Sequence, residues 1–429
     1  MSRLKIERII SYEILASNGS PTIQTECYFN GGQFVKSSIS YGASAGSLEA
    51  TVIFDDDPSR FNSKGMLGQV RVINEIIAPK LSGEFENLKS VDEVLLKLDN
   101  TPNKNKLGGN AILSVSQVVA KAFAKLDNLE TYQYLQSITG QNANIPSPMT
   151  VLIEGGKHAD DSSDIQEYSV SHLESNKSII DRLEECEKIY HLVGKKLKAM
   201  GFSINVGNEG AYAPSGIGSN TLPLTILNEC INELELHGKL GISIDAAASE
   251  FCTKSGSDFT YTITENKKQI SHTSAEMAEY YNKTLVSDNL ISREDFFAED
   301  DIMGWKLLNN FLDSSLIIGD DLTVTNPKLL RLAIDNKLIN AVIIKPNQIG
   351  TITETLDCCK LARENDIEII VSHRGGGESN DDFIADLAVA VGAKWIKCGP
   401  TRGERVAKYN RLIEIERKIK SEISNQNFA

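Results

Sequence analysis

Short apolar runs that each stop at an ionisable residue recur in the second half of the chain, and their spacing is the strongest constraint on its fold. The first of these runs, residues 241–244, ends at Asp245. Five further runs end at Glu294, Asp320, Lys345, His373 and Lys397. These five residues are separated by 26, 25, 28 and 24 positions. About 25 residues is the length of one strand–loop–helix–loop unit.

A repeat of this kind predicts a barrel of parallel strands, each followed by a helix. Amphipathic stretches at residues 327–335 and 353–363 fill two of the gaps between the runs. Consecutive parallel strands with right-handed helical crossovers favour a closed (β/α) barrel over an open sheet. Side chains at the carboxyl ends of barrel strands converge on one mouth, where catalysis is found in such folds. The pattern therefore predicts three carboxylates, two lysines and a histidine around one cavity.

The first part of the chain has a different pattern, which predicts a small α+β domain. Three stretches rich in Ile, Tyr and Thr predict strands: residues 8–15, 22–29 and 34–39. Asn30-Gly31-Gly32 predicts a hairpin turn between the last two strands. Residues 90–93 have the form of a helix capping box, and residues 110–126 predict a helix that is apolar nearly all round and therefore buried.

Two prolines mark the boundary between these patterns. Pro146 and Pro148 follow the last predicted helix of the first part. We therefore expect an N-terminal α+β domain at residues 1–142, which carries a lid loop, and an α/β barrel with the active site at residues 143–429.

The charge balance and the cysteines exclude several classes of function. The chain has 44 Lys and Arg against 58 Asp and Glu, a net charge of −14, which argues against a nucleic-acid or anionic-membrane partner. No apolar stretch approaches the roughly 18 residues of a membrane-spanning helix, and the start lacks the apolar region of a signal peptide. The seven cysteines are scattered without a CxxC pair, which is typical of reduced thiols in a cytoplasmic protein.

The ionisable strand ends indicate a metal site beside a base. Asp245, Glu294 and Asp320 in one cavity would repel each other unless a cation neutralised them, and oxygen ligands favour Mg²⁺ over Zn²⁺. Any one acidic pair is more often part of a solvated loop, but three acids that end three strands weaken that interpretation. A single lysine at a strand end is usually a salt-bridge partner. If Lys345 and Lys397 face a metal ion together, however, each favours deprotonation of the other, so one can act as a base.

Loops rich in small residues carry the remaining candidate groups, each a weak signal alone. Residues 205–214 place Glu209 among glycines and a proline, residues 154–158 carry His158, and Gln166 is followed by the acid Glu167. Residues 41–46 have the composition of a lid.

Read in order, these segments resemble the enolase (phosphopyruvate hydratase) family over nearly the full chain. The matching segments are Gly-Ala-Ser-Ala-Gly (42–46), Gly-Gly-Lys-His (155–158), Gly-Asn-Glu-Gly (207–210), Gly-Asp-Asp-Leu (319–322), Ser-His-Arg (372–374), Ile-Lys-Cys-Gly (396–399) and Arg-Gly-Glu-Arg (402–405). The resemblance implies an α/β fold in which a C-terminal (β/α)8-type barrel of the enolase kind follows a small α+β domain.

The resemblance also implies a reaction, the dehydration of 2-phospho-D-glycerate to phosphoenolpyruvate in glycolysis with two Mg²⁺ ions. Lys345 would remove the proton alpha to the carboxylate, and Glu209, assisted by Glu167, would protonate the leaving hydroxide. The other implied roles are metal ligands (Asp245, Glu294 and Asp320 for the first ion, Ser44 for the second, which arrives with substrate) and substrate contacts (His158, Gln166, His373, Arg374 and Lys397). A cytoplasmic homodimer is the implied assembly.

Some positions depart from the family pattern, mostly on the phosphate side and in the lid. Asn18 replaces an arginine of the family's dimer contact, and Tyr41 and Ala45 replace a serine and a threonine of the lid. Residues 375–377, Gly-Gly-Gly, replace Ser-Gly with one residue inserted. Two alternatives therefore stay open: a paralogue that applies the same chemistry to a related phosphonate or carboxylate in specialised metabolism, and a scaffold without catalysis.

Overall fold

The N-terminal part of the computed structural model is an antiparallel sheet covered by helices. The structure describes residues 3–42, 46, 48–173, 176–308 and 315–426. The strands of the sheet are β1 (Leu4–Leu15), β2 (Pro21–Phe29), β3 (Gln33–Ser38) and β4 (Gly83–Phe85). They lie in the order β3-β2-β1-β4. The predicted turn between β2 and β3 forms, because Asn30, Gly31 and Gly32 all adopt positive φ angles.

The longest helix of this part covers the sheet. The helices are α1 (Leu67–Arg71), α2 (Leu88–Leu98), α3 (Gly109–Leu126) and α4 (Thr131–Thr139). The helix α3 packs on β2 and β3 and is buried nearly all round, as its sequence predicts. The capping box predicted at residues 90–93 is wrong: α2 begins three residues earlier, where the Asn87 side chain accepts a hydrogen bond of 2.9 Å from the Ser90 amide.

Eight strands close a barrel in the C-terminal part. Its strands are β5 (Ser147–Glu154), β6 (Glu167–His172), β7 (Leu240–Asp245), β11 (Leu290–Glu294), β12 (Leu316–Gly319), β13 (Ala341–Ile344), β14 (Glu368–Ser372) and β15 (Trp395–Cys398). Each predicted strand end is confirmed to within one residue. The strand β6, however, is antiparallel to both of its neighbours, which the repeat did not predict. A short 3₁₀ turn at Gly156–His158, rather than an α-helix, lies between β5 and β6.

Helices surround the barrel, and a small sheet is inserted after β7. The helices are α5 (Ile179–Ala199), α6 (Leu222–Glu233), α7 (Ser274–Thr284), α8 (Ile302–Leu307), α9 (Pro327–Asp335), α10 (Pro346–Ile349), α11 (Ile352–Arg363), α12 (Phe383–Ala390) and α13 (Gly403–Gln426). The inserted sheet contains β8 (Cys252–Ser255), β9 (Asp258–Glu265) and β10 (Lys268–Thr273). Among the described residues, no helix combines the length and the apolar character needed to cross a membrane.

Apolar side chains fill the interior of the barrel. This inner core contains Met149, Ile318, Ala341, Ile343, Ile370 and Trp395, while a larger core lies outside the strands and extends into the N-terminal helices. All seven cysteines are free thiols. Buried serines also lie along the strands, and Ser171 Oγ and Ser243 Oγ are 2.6 Å apart, but the ionisable side chains of the predicted set gather at the barrel mouth. The domain boundary at residues 142 and 143 stays a prediction.

A glycine just after β15 tests the close packing at this mouth. A Cβ atom added at Gly399 would lie 1.9 Å from the Glu209 carbonyl oxygen. We expect Gly399→Ala to lower the free energy of unfolding by about 1–3 kcal/mol or more, since backbone has to move. Urea unfolding measures this change. In the control Gly403→Ala, where nothing lies within 4 Å of the added Cβ, stability should stay within about 0.5 kcal/mol or rise. Equal stability of the two variants would contradict the prediction.

Candidate active site

Neighbouring strands place carboxylates side by side at the barrel mouth. In the strand register, Glu167 lies opposite Asp245, and Asp245 lies opposite Glu294. Asp245 and Glu294 are the last residues of parallel strands, whereas Glu167 is the first residue of β6. The reversed direction of β6 is therefore what brings Glu167 to the same end of the barrel as the other two acids.

The Lys397 ammonium group joins these three carboxylates. Its Nζ lies 2.8 Å from Glu167 Oε2, 2.9 Å from Asp245 Oδ2 and 2.7 Å from Glu294 Oε1. Burial favours the neutral amine, but the carboxylates outweigh it and raise the pKa of Lys397 well above its ordinary value. The side chain predicted to contact substrate is thus bound to protein carboxylates in this structure.

Lys345 lies at the end of β13 and forms an ion pair with Asp320. The backbone of Lys345 is extended (φ −132°, ψ 103°), which is the region that the following Pro346 favours. Gln348 Nε2 donates a hydrogen bond of 2.8 Å to Asp320 Oδ1, which fixes the carboxylate from the other side. Burial lowers the pKa of Lys345, but Asp320 outweighs this effect, so the pKa is raised. Lys397 does lower the pKa of Lys345, as expected, but this effect is smaller than that of Asp320.

Two further aspartates lie beside Asp320, and the sequence analysis did not assign them a role. Asp295 accepts hydrogen bonds from the amides of Asp320 (3.0 Å) and Asp321 (2.8 Å). Ligand atoms of the three aspartates lie within 4.8 Å of one another. Burial, with the charges of Asp321 and Asp320, raises the pKa of Asp295 well above its usual range; burial and Asp320 raise that of Asp321 to about 8. The signal in the sequence was a second acid directly after two of the strand-end acids, Glu294 and Asp320.

Glu209 faces two histidines. His373 Nε2 lies 3.3 Å and His158 Nδ1 3.7 Å from Glu209 Oε1. Burial opposes the charge on Glu209, but the two imidazoles outweigh it and lower the pKa of the carboxyl group. Burial lowers the pKa of His158, whereas the charge of Glu209 outweighs burial at His373 and raises its pKa to about 10.

The pKa of the neighbouring acid Glu167 is shifted in the opposite direction, upward. Its Oε1 lies 3.5 Å from His158 Nδ1, on the same side of the cleft as Glu209. Burial and the charge of Glu209 raise the pKa of Glu167 to about 7. The two acids thus differ in proton affinity because Glu209 is paired with histidines and Glu167 is next to another carboxylate.

Glu154 supports Glu209 from behind, and the sequence analysis missed it. This fully buried residue ends β5, and its Oε1 accepts hydrogen bonds of 3.0 Å from the amides of Glu209 and Ala211. Burial and the charge of Glu209 raise the pKa of Glu154 to about 9. The only signal in the sequence was an acid between an apolar run and a Gly-Gly pair, which cannot show that it contacts a distant backbone.

Arg374 lies at the other side of the cleft, paired with a further residue that the sequence analysis missed. Both terminal nitrogens of Arg374 lie 3.2 Å from Glu49 Oε1. Gly375 follows without a side chain, and a Cβ there would lie 2.6 Å from Glu209 Oε1. Among the described residues, no group bonds to Gln166 Oε1, Glu49 Oε2 or Glu209 Oε2, so buried acceptors remain for a ligand.

The structure thus brings the predicted site residues that it describes to one cleft. Those that line it are His158, Gln166, Glu167, Glu209, Asp245, Asp320, Lys345, His373 and Arg374. Glu294 and Lys397 lie just below, in contact with Glu167 or Asp245. Ser44, the predicted ligand of a second metal ion, and the lid residue Ala45 lie outside the described residues.

Comparisons with known proteins agree along almost the entire chain. Residues 6–135 match the family model described as Enolase, N-terminal domain, and residues 142–427 match Enolase, C-terminal TIM barrel domain. A protein named Enolase from Ehrlichia ruminantium (strain Welgevonden) is 38% identical over 423 residues, 97% of each chain. A protein named Enolase from Helicobacter pylori (strain Shi470) is 40% identical over 427 residues, 98% of this chain and 97% of the relative.

The Glu378 carboxylate binds the Arg374 backbone, and its contribution to the free energy of unfolding can be tested by varying the pH. Glu378 Oε2 accepts a hydrogen bond of 2.7 Å from the Arg374 amide, and Glu378 Oε1 lies 2.9 Å from Lys408 Nζ. Burial opposes ionisation, but Lys408 and its neighbouring charges outweigh it and lower the pKa of Glu378 from 4.5 to about 2. The carboxylate therefore stabilises the fold above pH 4.5, and about 3 kcal/mol of that stability is lost as the pH falls towards 2.

We expect Glu378→Gln to be less stable than the wild type near neutral pH, with a difference that narrows below about pH 5. Urea unfolding at a series of pH values from 7 to 3.5 measures it. The exposed Glu184 offers a control, since Glu184→Gln should follow the wild type at every pH. A difference that stays constant with pH would show that the Glu378 charge does not contribute in this way.

Proposed function

Because the chain belongs to the enolase family, and is thus a carbon–oxygen lyase of the phosphopyruvate hydratase type, we propose that it dehydrates 2-phospho-D-glycerate to phosphoenolpyruvate with Mg²⁺. One observation carries the proposal: the candidate base Lys345 and the candidate acid Glu209 line the same cleft but are held by different partners, Asp320 and His373. A cytoplasmic homodimer is part of the same proposal.

The residues around Lys397 fit a divalent metal ion. Asp245 and Glu294 offer oxygen ligands only, and both already point at one ammonium group, within 2.9 Å. Burial and the charge of Asp245 raise the pKa of Glu294 well above its usual range, and Asp320 adds to that effect. A surplus of buried negative charge is what a cation relieves. We propose Asp245, Glu294 and Asp320 as ligands of the first Mg²⁺ and Ser44 as a ligand of a second, substrate-linked ion.

Lys345 is the proposed base for the proton alpha to the substrate carboxylate. Removal of this proton places a second negative charge on one small group, which bound Mg²⁺ would stabilise as it develops. The pairing of a lysine base with Mg²⁺ is the known pattern of enolase-superfamily sites. Lys345 must lose its own proton first, and its ion pair with Asp320 opposes that loss. Engagement of Asp320 by another cation would weaken the pair and free Lys345 to act as a base.

Glu209 and Glu167 form the proposed acid side. Glu167 holds a proton near neutral pH because its pKa is raised to about 7. His158 lies within 3.7 Å of both carboxylates, so it links them. We propose that these two acids share the proton that leaves with the substrate hydroxide, with Glu209 as the group that delivers it and Glu167 as the group that replaces it.

Arg374 is the proposed ligand of the phosphate group, with His158, His373 and Gln166 along the wall and Lys397 near the substrate carboxylate. Phosphate or substrate would take over the contact that Arg374 now makes with Glu49. The bare backbone at Gly375 favours a second candidate, because no hydroxyl group can be placed there. A paralogue that acts on a phosphonate or a second carboxylate is therefore the alternative to be tested against 2-phosphoglycerate.

The role of Lys345 is tested by Lys345→Ala. We expect the rate of phosphoenolpyruvate formation, followed by ultraviolet absorbance with saturating Mg²⁺, to fall by about 10²–10⁴-fold, since the base is lost. Lys360→Ala, at a lysine that is 75% exposed, is the control and should keep wild-type turnover. Turnover unaffected by Lys345→Ala would refute this role. A wild type that is inactive on 2-phosphoglycerate but turns over a phosphonate analogue would favour the paralogue.

The metal site is tested by Mg²⁺-dependent thermal unfolding, which needs no turnover. At about 100 times its dissociation constant, Mg²⁺ should stabilise the wild type by about 2.7 kcal/mol, and EDTA should remove the effect. We expect Glu294→Gln to lose most of this gain, and Asp300→Asn, at a half-exposed aspartate outside the cleft, to keep it. An equal Mg²⁺ gain in Glu294→Gln would exclude the proposed ligand set.

A further inference from the structure

We propose that the contact between Tyr41 and Gly377 is a positioning device that holds the Gly375 backbone in the cleft and thereby sets the affinity for the anionic group bound beside Arg374. The inference rests on the proposed function for the identity of that group, a phosphate. Tyr41 is here a positioning residue, because it acts through the loop that follows β14.

A backbone bridge joins the N-terminal part to this loop. The Tyr41 amide donates to the Gly377 carbonyl oxygen (3.0 Å), and the Gly377 amide donates to the Tyr41 carbonyl oxygen (2.8 Å). Tyr41 comes three residues after β3 and is 3% exposed. The loop is thus tied to the segment after β3 by two buried hydrogen bonds, which are costly to break without replacement.

The Tyr41 ring explains why the loop has a glycine at this place. A Cβ atom at Gly377 would lie 2.2 Å from Tyr41 Cζ. The ring packs edge-on against Phe54, with centroids 5.4 Å apart, and its hydroxyl group donates to Asn18 Oδ1 at 3.3 Å. Three departures from the family pattern, at Asn18, Tyr41 and Gly377, therefore form one contact. The Tyr41 ring fits only because Gly377, which lies opposite it, has no side chain.

Flanking contacts hold the same segment on both sides. Ser17 Oγ donates to the Gly376 carbonyl oxygen (3.0 Å), and the Ser17 amide donates to the Glu378 carbonyl oxygen (2.9 Å). The Ser40 hydroxyl group donates to the Glu378 carboxylate. These bonds make the position of the segment depend on the N-terminal part and not on the barrel alone.

The restrained segment leads directly into the cleft. A Cβ atom at Gly375 would lie 2.6 Å from Glu209 Oε1 and 2.7 Å from the His158 ring, so the bare backbone faces both groups. The Arg374 amide donates a hydrogen bond of 2.7 Å to Glu378 Oε2. No described residue accepts a hydrogen bond from the Gly375 amide. This amide is a donor next to a guanidinium group, an arrangement that binds an oxyanion. A shift of the loop at Gly377 would move this donor but leave Lys345, at the end of β13, in place.

The test uses Gly377→Ala, Tyr41→Ala and the double variant. Gly377→Ala forces the new methyl group against the Tyr41 ring, so we expect inorganic phosphate and 2-phosphoglycerate to bind about tenfold more weakly, the loss of one charge-assisted hydrogen bond. KM should rise by a similar factor, while kcat stays within about twofold. Tyr41→Ala disturbs the loop from the other side and should act in the same direction. In the double variant the methyl group has space and should cause little further loss, so the affinity should equal that of Tyr41→Ala alone.

Val118→Ala, in the buried helix α3, is the control for a general loss of stability, and it should keep both KM and phosphate affinity. The proposal is overturned if Gly377→Ala lowers the unfolding midpoint as Val118→Ala does but leaves phosphate affinity unchanged. It is also overturned if the double variant binds phosphate no better than the product of the single effects. Calorimetric binding of inorganic phosphate needs no turnover. The two proposals can fail separately. If the wild type does not turn over 2-phosphoglycerate, but the phosphate affinities of the variants differ as described, the proposed function is refuted and the positioning role of Tyr41 and Gly377 is supported.

Discussion

The arrangement of this site depends on the negative charge that is buried at the barrel mouth. Asp245, Glu294 and Glu167 lie on three adjacent strands and share one ammonium group, that of Lys397. Removing several carboxylates from water is costly unless cations compensate them. The second lysine, Lys345, meets the same need at Asp320. A site with this charge surplus suits a divalent ion, and in the proposed function that ion would make the removal of a proton beside a carboxylate feasible.

The two halves of the proposed chemistry are separated by the way in which their charges are paired. Near β12 and β13, carboxylates face amines, whereas around Glu209 a carboxylate faces imidazoles. In the proposed function, the first arrangement would hold a metal ion and a base, and the second would divide one proton between two acids. Glu154 contributes to the second half without entering the cleft, since it fixes the backbone that carries Glu209. The barrel can therefore keep opposite proton affinities within one cavity.

The sequence predicted the strand ends well because a buried strand and the polar residue after it leave a local mark. Asp245, Glu294 and Lys345 lie where the apolar runs stop. The direction of β6 leaves no such mark, since the pattern of a strand is the same whichever way it runs. Glu49 and Glu154 could not be predicted because their partners come from distant parts of the chain. Asp321 could not be predicted because an acid after a strand resembles part of a solvated loop. The complementarity of Tyr41 and Gly377 likewise exists only in space.

The order of the strands has a consequence for how the polypeptide reaches this state. The barrel closes where β15, the last strand, pairs with β5, the first, so closure depends on contacts that are very distant along the chain. Lys397 belongs to that closing strand, whereas the carboxylates it neutralises belong to strands made much earlier. During synthesis from the N-terminus, the strands that carry Glu167, Asp245 and Glu294 are therefore made before the strand that carries the Lys397 ammonium group. Divalent ions would neutralise these carboxylates in the incomplete chain, so the ion proposed for catalysis would also favour closure of the barrel.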